Sequence, residues 1–390
     1  VNVSLAGNGD VPSRVRFAAL AALAALVLPF AAAPADWGAW ALVYGALALA
    51  WLDPVSGRDR DGGLGVLVVG AAHTALALVN SLAGPLPGAD LDAAVFKAHG
   101  LDLAMYEPLR IALGTGFIEN LLAALHTLLG ESSLIGDASA AFAFTLASVF
   151  FLRLLHVLEV RRYRFWLVLA FGLWPTSLLL GSVTLREPFQ LLAFTAMVYC
   201  ALRPARGLAR VGWLLAAAAA GLVLGMFHAA MLAYALAAVV LFSLWPARRE
   251  AAYGWRARVA VLAVLAAVAT IGVASWSSLQ IRPGDDLFAL AQRDVVDSLR
   301  AYRAGVASGE PRSAFGVDLE YTSVPAFAGS LSRLYLHYMF APFPWQISAP
   351  RDLLAAAESL LRLVLLVLAI CMLWRGAPPG RRTVGLALLL

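Results

Sequence analysis

The sequence predicts an all-α fold: a polytopic transmembrane bundle of about 10–11 membrane helices, with further helices lying along the outer membrane face. Three observations predict it. Of the 390 residues, 62% are hydrophobic and 14% charged, whereas soluble domains run at about 45–50% apolar and about 25% charged. The apolar residues gather in runs near the length of about 20 that a helix needs to cross hydrocarbon. The arginines gather in short clusters between those runs, where topology signals sit.

In chain order the runs fall at residues 17–33, 37–51, 64–83, 138–158, 165–185, 189–202, 211–228, 229–245, 259–276 and 354–374, with a last one starting near 383. Helices are the open-ended way to satisfy backbone polar groups in hydrocarbon, so each run is expected to be a helix. Arg14 and Arg16 precede the first run in the manner of a signal peptide. No cleavage site separates that run from the next, so it is expected to be a retained first helix. The chain stops inside the apolar run TVGLALLL, as a truncated fragment would. Cys200 and Cys371 lie within apolar runs and are expected to be small membrane-buried residues.

Orientation follows from the arginines. Arg161, Arg162 and Arg164 form one short cluster, and Arg203, Arg206 and Arg210 a second. Arg248, Arg249, Arg256 and Arg258 form a third, and Arg375, Arg381 and Arg382 a fourth. Short arginine-rich loops stay cytoplasmic. An N-terminus inside puts all four clusters inside, provided that residues 111–130 do not cross. That stretch carries Glu119, Asn120 and His126. It is expected to be an interfacial or re-entrant helix on the outer face, with Glu119 and His126 facing solvent. Two long outer stretches result, 84–137 and 277–351, within a single transmembrane domain. In the second, Leu287, Ala291, Val295 and Leu299 recur every fourth residue and predict an amphipathic surface helix over 286–304. The net charge of +5 is spent on topology signals and does not point to nucleic acid.

Candidate chemistry sits in the outer stretches. The first polar interruption, GPLPGADLDAAVFKAHGLDLAMYEPLR, carries Asp90, Asp92 and the only lysine of the chain, Lys97. Two carboxylates beside a membrane suit a general base that activates an acceptor hydroxyl, and equally suit oxygen ligation of a divalent cation. Asp92 also suits capping of the helix that DAAVFKAHG begins. In LLLGSVTLREPFQLL, Arg186 can grip a phosphate bidentately. It could otherwise be half of an interfacial ion pair, or reach towards water. Glu187 suits the N-terminus of the following helix, where Pro188 fits the first turn. His228, at a tight turn after GLVLGMF, suits donation to a phosphate or a satisfied structural role.

Arg333 and His337 stand four apart in SRLYLHYMFAPFPWQI, on one helix face. They suit a cationic pair over a lipid phosphate, within an aromatic belt of Tyr335, Tyr338, Phe340, Phe343 and Trp345. Arg153, His156 and Glu159, near an inner helix end, are expected to extend towards the cytoplasmic headgroups. There is no phosphate-binding glycine loop, zinc-ligand spacing or nucleophile elbow.

On PGADLDAAVFKAHG, LWPTSLLLGSVTLREP and FAPFPWQI, the chain resembles the GT-C superfamily of polytopic glycosyltransferases and the neighbouring O-antigen polymerase and ligase families. The resemblance implies a bacterial inner-membrane enzyme that uses polyprenyl-phosphate-linked sugar at the extracytoplasmic face. Its partners would be that donor, a glycan acceptor and the bilayer. It implies Asp92 or Asp90 as base, with Arg186, Arg333 and His337 on the carrier phosphate. The early acidic loop follows the third apolar run here, where many members have it after the first. A lipid-linked glycan transporter and a non-catalytic scaffold are the rival functions.

Overall fold

The computed structural model describes residues 36–86, 91–106, 114–203, 207–228, 341–347 and 350–375, with isolated positions at 231–239 and 326–340. It is all-α. Among the described residues there are eleven α-helices. They are α1 (Trp37–Leu52), α2 (Pro54–Arg58), α3 (Arg60–Leu82), α4 (Leu91–Tyr106), α5 (Thr115–Leu129), α6 (Ile135–Val157), α7 (Arg164–Gly172), α8 (Pro175–Leu180), α9 (Glu187–Leu202), α10 (Gly207–Phe227) and α11 (Pro350–Arg375). Three of them, α3, α6 and α10, contain stretches long and apolar enough to cross a membrane. Helices α1 and α9 are apolar but shorter, at 16 residues. The expected runs at 17–33, at 259–276 and from 383, and the amphipathic stretch at 286–304, lie outside the described residues.

The chain divides into two compact units, Val1–Ile281 and Arg282–Leu390. In the first, α6 is buried along most of its length and packs against α1, α3 and α9, while α9 packs against α10. Small residues make this closeness possible. Ala138, Ala140, Ala141, Ala143 and Ala147 of α6 are all buried, and neighbouring helices approach without large side chains between them. Val66 and Val69 of α3 meet Phe144, Val149, Leu152 and Leu155 of α6 and Val168 of α7 in one apolar cluster.

Helices α3 and α6 are paired at both ends, so α3 runs against α6 in the opposite direction. At one end, Asp53 starts α2 by accepting the N–H groups of Val55 at 3.1 Å and Ser56 at 2.9 Å, with Pro54 in the first turn. Asp59 starts α3 by accepting Gly62 N–H at 3.0 Å. The same two carboxylates take the cations of the next helices. Arg153 Nε donates to Asp53 at 2.7 Å. Asp59 accepts from His156 Nε2 at 2.8 Å and from Arg164 at 2.7 Å. Arg153 and His156 are therefore held by helix caps of the same unit, not extended freely to headgroups.

Burial acts to raise the Asp59 carboxyl, but hydrogen bonds from His156, Gly62 N–H and Arg164, with the Arg164 charge, hold it well below the usual carboxylate range. Asp53 is lowered in the same way: burial opposes, and Arg153 with Ser56 prevails.

The run 165–185 is not one helix. Helix α7 ends at Gly172, Trp174 is extended before Pro175, and α8 lasts six residues before the chain turns at Gly181. A residue preceding proline is biased away from helical geometry, which accounts for the first break. The carbonyl of Gly172 at that break accepts from His73 Nε2 of α3 at 2.9 Å, and the His73 ring stacks on Phe144 with centroids 4.0 Å apart.

Helices α4 and α5, at 16 and 15 residues, span about 24 and 22 Å by helical rise, short of the roughly 30 Å of hydrocarbon. They pack on each other closely enough that a Cβ on Gly100 would lie 2.6 Å from Leu122 Cβ. Helix α5 starts after Gly114 and ends before Gly130, both at positive φ that glycine adopts freely. Contrary to expectation, Glu119 and His126 of α5 are buried, at 2% and 6% exposure.

In the second unit, His337 Nδ1 donates to Arg333 O at 3.0 Å, Phe343 stacks on Trp345 with centroids 5.0 Å apart, and Ser359 of α11 donates to Ala341 O at 2.9 Å.

Because the folded Asp53 and Asp59 keep their charge to lower pH than the unfolded chain does, their stabilisation is complete above the ordinary carboxyl pKa of 3.8. It is lost as pH falls below that value. Asp59→Asn is expected to cost about 3 kcal/mol at neutral pH and to flatten the acid limb of thermal stability. Arg161→Ala, at an exposed position, is expected to do neither; melting in detergent across pH 3–7 checks both.

Candidate functional site

At the other end of the α3–α6 pair lies a buried carboxylate. Asp137, in the first turn of α6, has no solvent exposure. Four side-chain donors from three segments converge on it. Oδ2 accepts from Asn80 Nδ2 at 2.8 Å, Ser81 Oγ at 2.6 Å and Lys97 Nζ at 2.6 Å, and Oδ1 accepts from Thr184 Oγ1 at 2.6 Å. Asn80 and Ser81 come from the last turn of α3, Lys97 from α4, and Thr184 from the turn between α8 and α9. The Asn80 carbonyl in turn accepts Leu86 N–H at 2.8 Å, which holds the chain as it leaves α3.

A charge taken out of water is tolerated when it is paired and its lone pairs are filled, and Asp137 meets both conditions. With its oxygens so occupied it is poorly suited to accept a proton from substrate. Lys97 is the open member. Its ammonium carries three N–H bonds, its side chain is 27% exposed, and Asp137 is its one partner among the described residues. The hub thus presents a cation at a fixed place, with donors left over.

An apolar cluster connects this hub to other sequence-predicted residues. Ala93 and Phe96 of α4, Ile118 and Leu122 of α5, Val183, Leu185 and Phe227 pack together. Phe227 meets Phe117 edge-on at 4.7 Å and stacks with Phe189 at 5.7 Å, and Gly114 N–H donates to Met226 O at 2.8 Å. The start of α9, with Arg186 and Glu187, therefore stands beside the end of α10, with His228. The half-buried Arg186 is the N-cap residue of α9 and Glu187 its first helical residue. One Glu187 oxygen, Oε2, is buried without a hydrogen-bond partner among the described residues.

Asp92 is exposed in the first turn of α4, where a negative charge suits the helix N-terminus. It is five residues from Lys97, so the two point about 140° apart around the axis and are not brought together. Asp90 lies outside the described residues. Arg333 and His337 belong to the second unit. Among the described residues, no group of three or more His, Cys, Asp or Glu side chains is arranged to hold a metal ion.

Sequence reasoning missed Asp137, Asn80, Ser81 and Thr184. The available signal was an acid and an Asn-Ser pair at the borders of two apolar runs, where ionisable and amide groups need partners. It also missed a second pair, His99 Nδ1 to the buried Glu119 at 3.0 Å.

No protein-family model, no curated protein and no solved structure matches the chain. What stands is a helical protein with three candidate membrane-spanning helices, as a multi-pass membrane protein has.

Asp137→Asn and Lys97→Met, each alone, are expected to destabilise the protein by about 3 kcal/mol, because each leaves a buried or half-buried partner uncompensated. The double variant is expected to lose less than the sum, with a coupling of about 1–3 kcal/mol in a double-mutant cycle of unfolding.

Proposed function

We propose that the chain is a membrane glycosyltransferase or glycan polymerase that uses polyprenyl-phosphate-linked sugar at the extracytoplasmic face, in surface polysaccharide or glycolipid assembly. One observation carries it most. A lysine ammonium is anchored on a buried carboxylate at the end of the α3–α6 pair that bears the long polar loop, beside the turn leading to Arg186. A fixed cation with spare donors at a membrane face suits the phosphate of a lipid carrier. The GT-C-like loop PGADLDAAVFKAHG, which contains Lys97, agrees with it.

In the transfer, the acceptor hydroxyl oxygen attacks the anomeric carbon of the donor sugar, and the bond from that carbon to the carrier phosphate breaks. The phosphate leaves with the bonding electron pair. Lys97 and Arg186 neutralise its growing charge, an electrostatic contribution of the kind that often dominates catalysis. The hydroxyl proton passes to a base on the α4 segment, for which the sequence offers Asp92 or Asp90. Glu187 and His228 flank Arg186, and Arg333 with His337 in the second unit supply a further cationic pair for headgroups. Asp90 and Asp92 also suit a divalent cation.

Transport of a lipid-linked glycan is the second function with a specific observation behind it, the broken segment of α7 and α8. Interrupted helices are used by transporters near their substrate sites.

In proteoliposomes supplied with a polyprenyl-phosphate-linked sugar and a glycan acceptor, with and without chelator, the wild type is expected to transfer sugar. Lys97→Met and Arg186→Ala are expected to lower kcat/KM at least tenfold, about 1.4 kcal/mol of transition-state stabilisation each. Folded variants that transfer at the wild-type rate contradict the assignment. Movement of the donor across the bilayer without transfer favours transport.

A further inference from the structure

The end of the first unit opposite the Asp137 hub holds a second fixed cation, seated on aromatic rings instead of a carboxylate. Arg203, the C-cap residue of α9, lays its guanidinium over the indole of Trp213 in α10, 4.1 Å from the ring centroid. The same group lies 5.6 Å from the Tyr199 ring centroid, and its Nη1 donates to the Tyr199 hydroxyl. Tyr199 is 5% exposed and meets Trp213 edge-on at 6.0 Å, so packing fixes the platform. Arg210 Nη1 donates to Arg203 O at 2.8 Å and pins the backbone from which the Arg203 side chain leaves. A guanidinium carries five N–H donors. The Tyr199 hydroxyl takes one, and no carboxylate meets Arg203 among the described residues.

The nearest cations at this end are already neutralised. Arg153, also over the Tyr199 ring at 5.7 Å, is taken by Asp53, and Arg164 by Asp59. Beyond these pairs, Arg58, Arg60, Arg161 and Arg162 are exposed, against Asp61 and Glu159 as the remaining acids among the described residues. The surface at this end is therefore cationic. It also bears exposed aromatic rings, with Tyr163 at 72% and Trp166 at 64% exposure. Amphipathic rings of this kind gather at the level of lipid headgroups. A headgroup surface accounts for rings and cations together, whereas a free anion in water would account for the cations alone.

We propose that Arg203, seated on Trp213 and Tyr199, binds the phosphate of an anionic phospholipid in the leaflet that meets this end of the bundle. A guanidinium stacked on an indole keeps its edge for a phosphate, which it grips through two parallel N–H bonds. Helix α10 begins at Gly207, four residues further on, with no acid in its first turn, and its dipole favours an anion there. The lipid binding is independent of sugar transfer.

The full chain in detergent, titrated with dioleoylphosphatidylglycerol or dioleoylphosphatidylcholine, tests this by native mass spectrometry of the retained lipid. The wild type is expected to hold phosphatidylglycerol about fivefold more tightly than phosphatidylcholine. Arg203→Gln is expected to weaken phosphatidylglycerol about tenfold, with the melting temperature monitored. Trp213→Leu keeps the charge and removes the stack, and is expected to weaken it about threefold. Replacing Arg161 and Arg162 together by Gln is expected to leave it unchanged. In the wild type, phosphatidylglycerol with a photoreactive diazirine near its headgroup is expected to crosslink within residues 199–213, which decides the matter if Arg203→Gln does not fold. The proposal is overturned if the wild type does not prefer phosphatidylglycerol, if folded Arg203→Gln or Trp213→Leu binds it as the wild type does, or if the crosslinks fall elsewhere. An equal loss in the Arg161 and Arg162 variant overturns it too, because diffuse charge would then suffice. Displacement of phosphatidylglycerol by equimolar inorganic phosphate gives the site to the free anion and overturns the lipid.

Discussion

The antiparallel pairing of α3 and α6, fastened by carboxylates at both ends, is the constraint on which the rest of the first unit depends. Between the two ends Val66 and Val69 pack with Phe144, Val149, Leu152 and Leu155, and His73 stacks on Phe144. A slide of either helix by one turn would carry Asp59 away from His156 and Arg164, and Asp137 away from Asn80 and Ser81. Buried charges lose several kcal/mol when separated from their partners. The polar ends therefore reinforce the register that the packed middle sets.

The other elements hang on those ends. Helices α4 and α5 are short, at 16 and 15 residues, and the apolar contacts around Phe96 and Leu122 are joined to the bundle by Lys97 on Asp137. The turn after α8 is joined to the same carboxylate by Thr184. The break between α7 and α8 would leave a carbonyl without its helical donor, and His73 supplies one. A satisfied break is one a membrane protein can keep. Structure and proposed chemistry thus share one feature, the hub at the start of α6. It spends its own lone pairs on anchoring, and what it anchors includes the one lysine of the chain.

Much of the fold was legible in the sequence. The runs at 64–83 and 138–158 became α3 (Arg60–Leu82) and α6 (Ile135–Val157). The helices begin several residues early because Arg60, Asp61 and Asp137 are polar first-turn residues that hydropathy assigns to loops. A short helix within 111–130 was legible, and it is Thr115–Leu129, but the burial of Glu119 and His126 was not, because it depends on packing against other helices, with His99 of α4 beside Glu119. The run at 165–185 was misread as continuous: its apolarity is unbroken, and only Gly172, Pro175 and Gly181 mark the interruptions. The Asp137 hub was hidden for a plainer reason. Its donors are 40 to 57 residues away in sequence, and no local pattern announces such a meeting. Lys97 stood out as the one lysine of the first polar interruption, and Arg186 as a cation between two apolar runs.

The proposed function requires that the two polar ends of the α3–α6 pair face opposite sides of a membrane, with the Asp137 end outside. This requirement is tested most directly by single cysteines at the exposed positions Asp92 and Arg161, each in a chain whose Cys200 and Cys371 are replaced. With a membrane-impermeant maleimide on intact spheroplasts, the cysteine at position 92 is predicted to label at once, and that at 161 only after permeabilisation. Labelling of both from the same side, or of 161 alone from outside, would contradict that orientation.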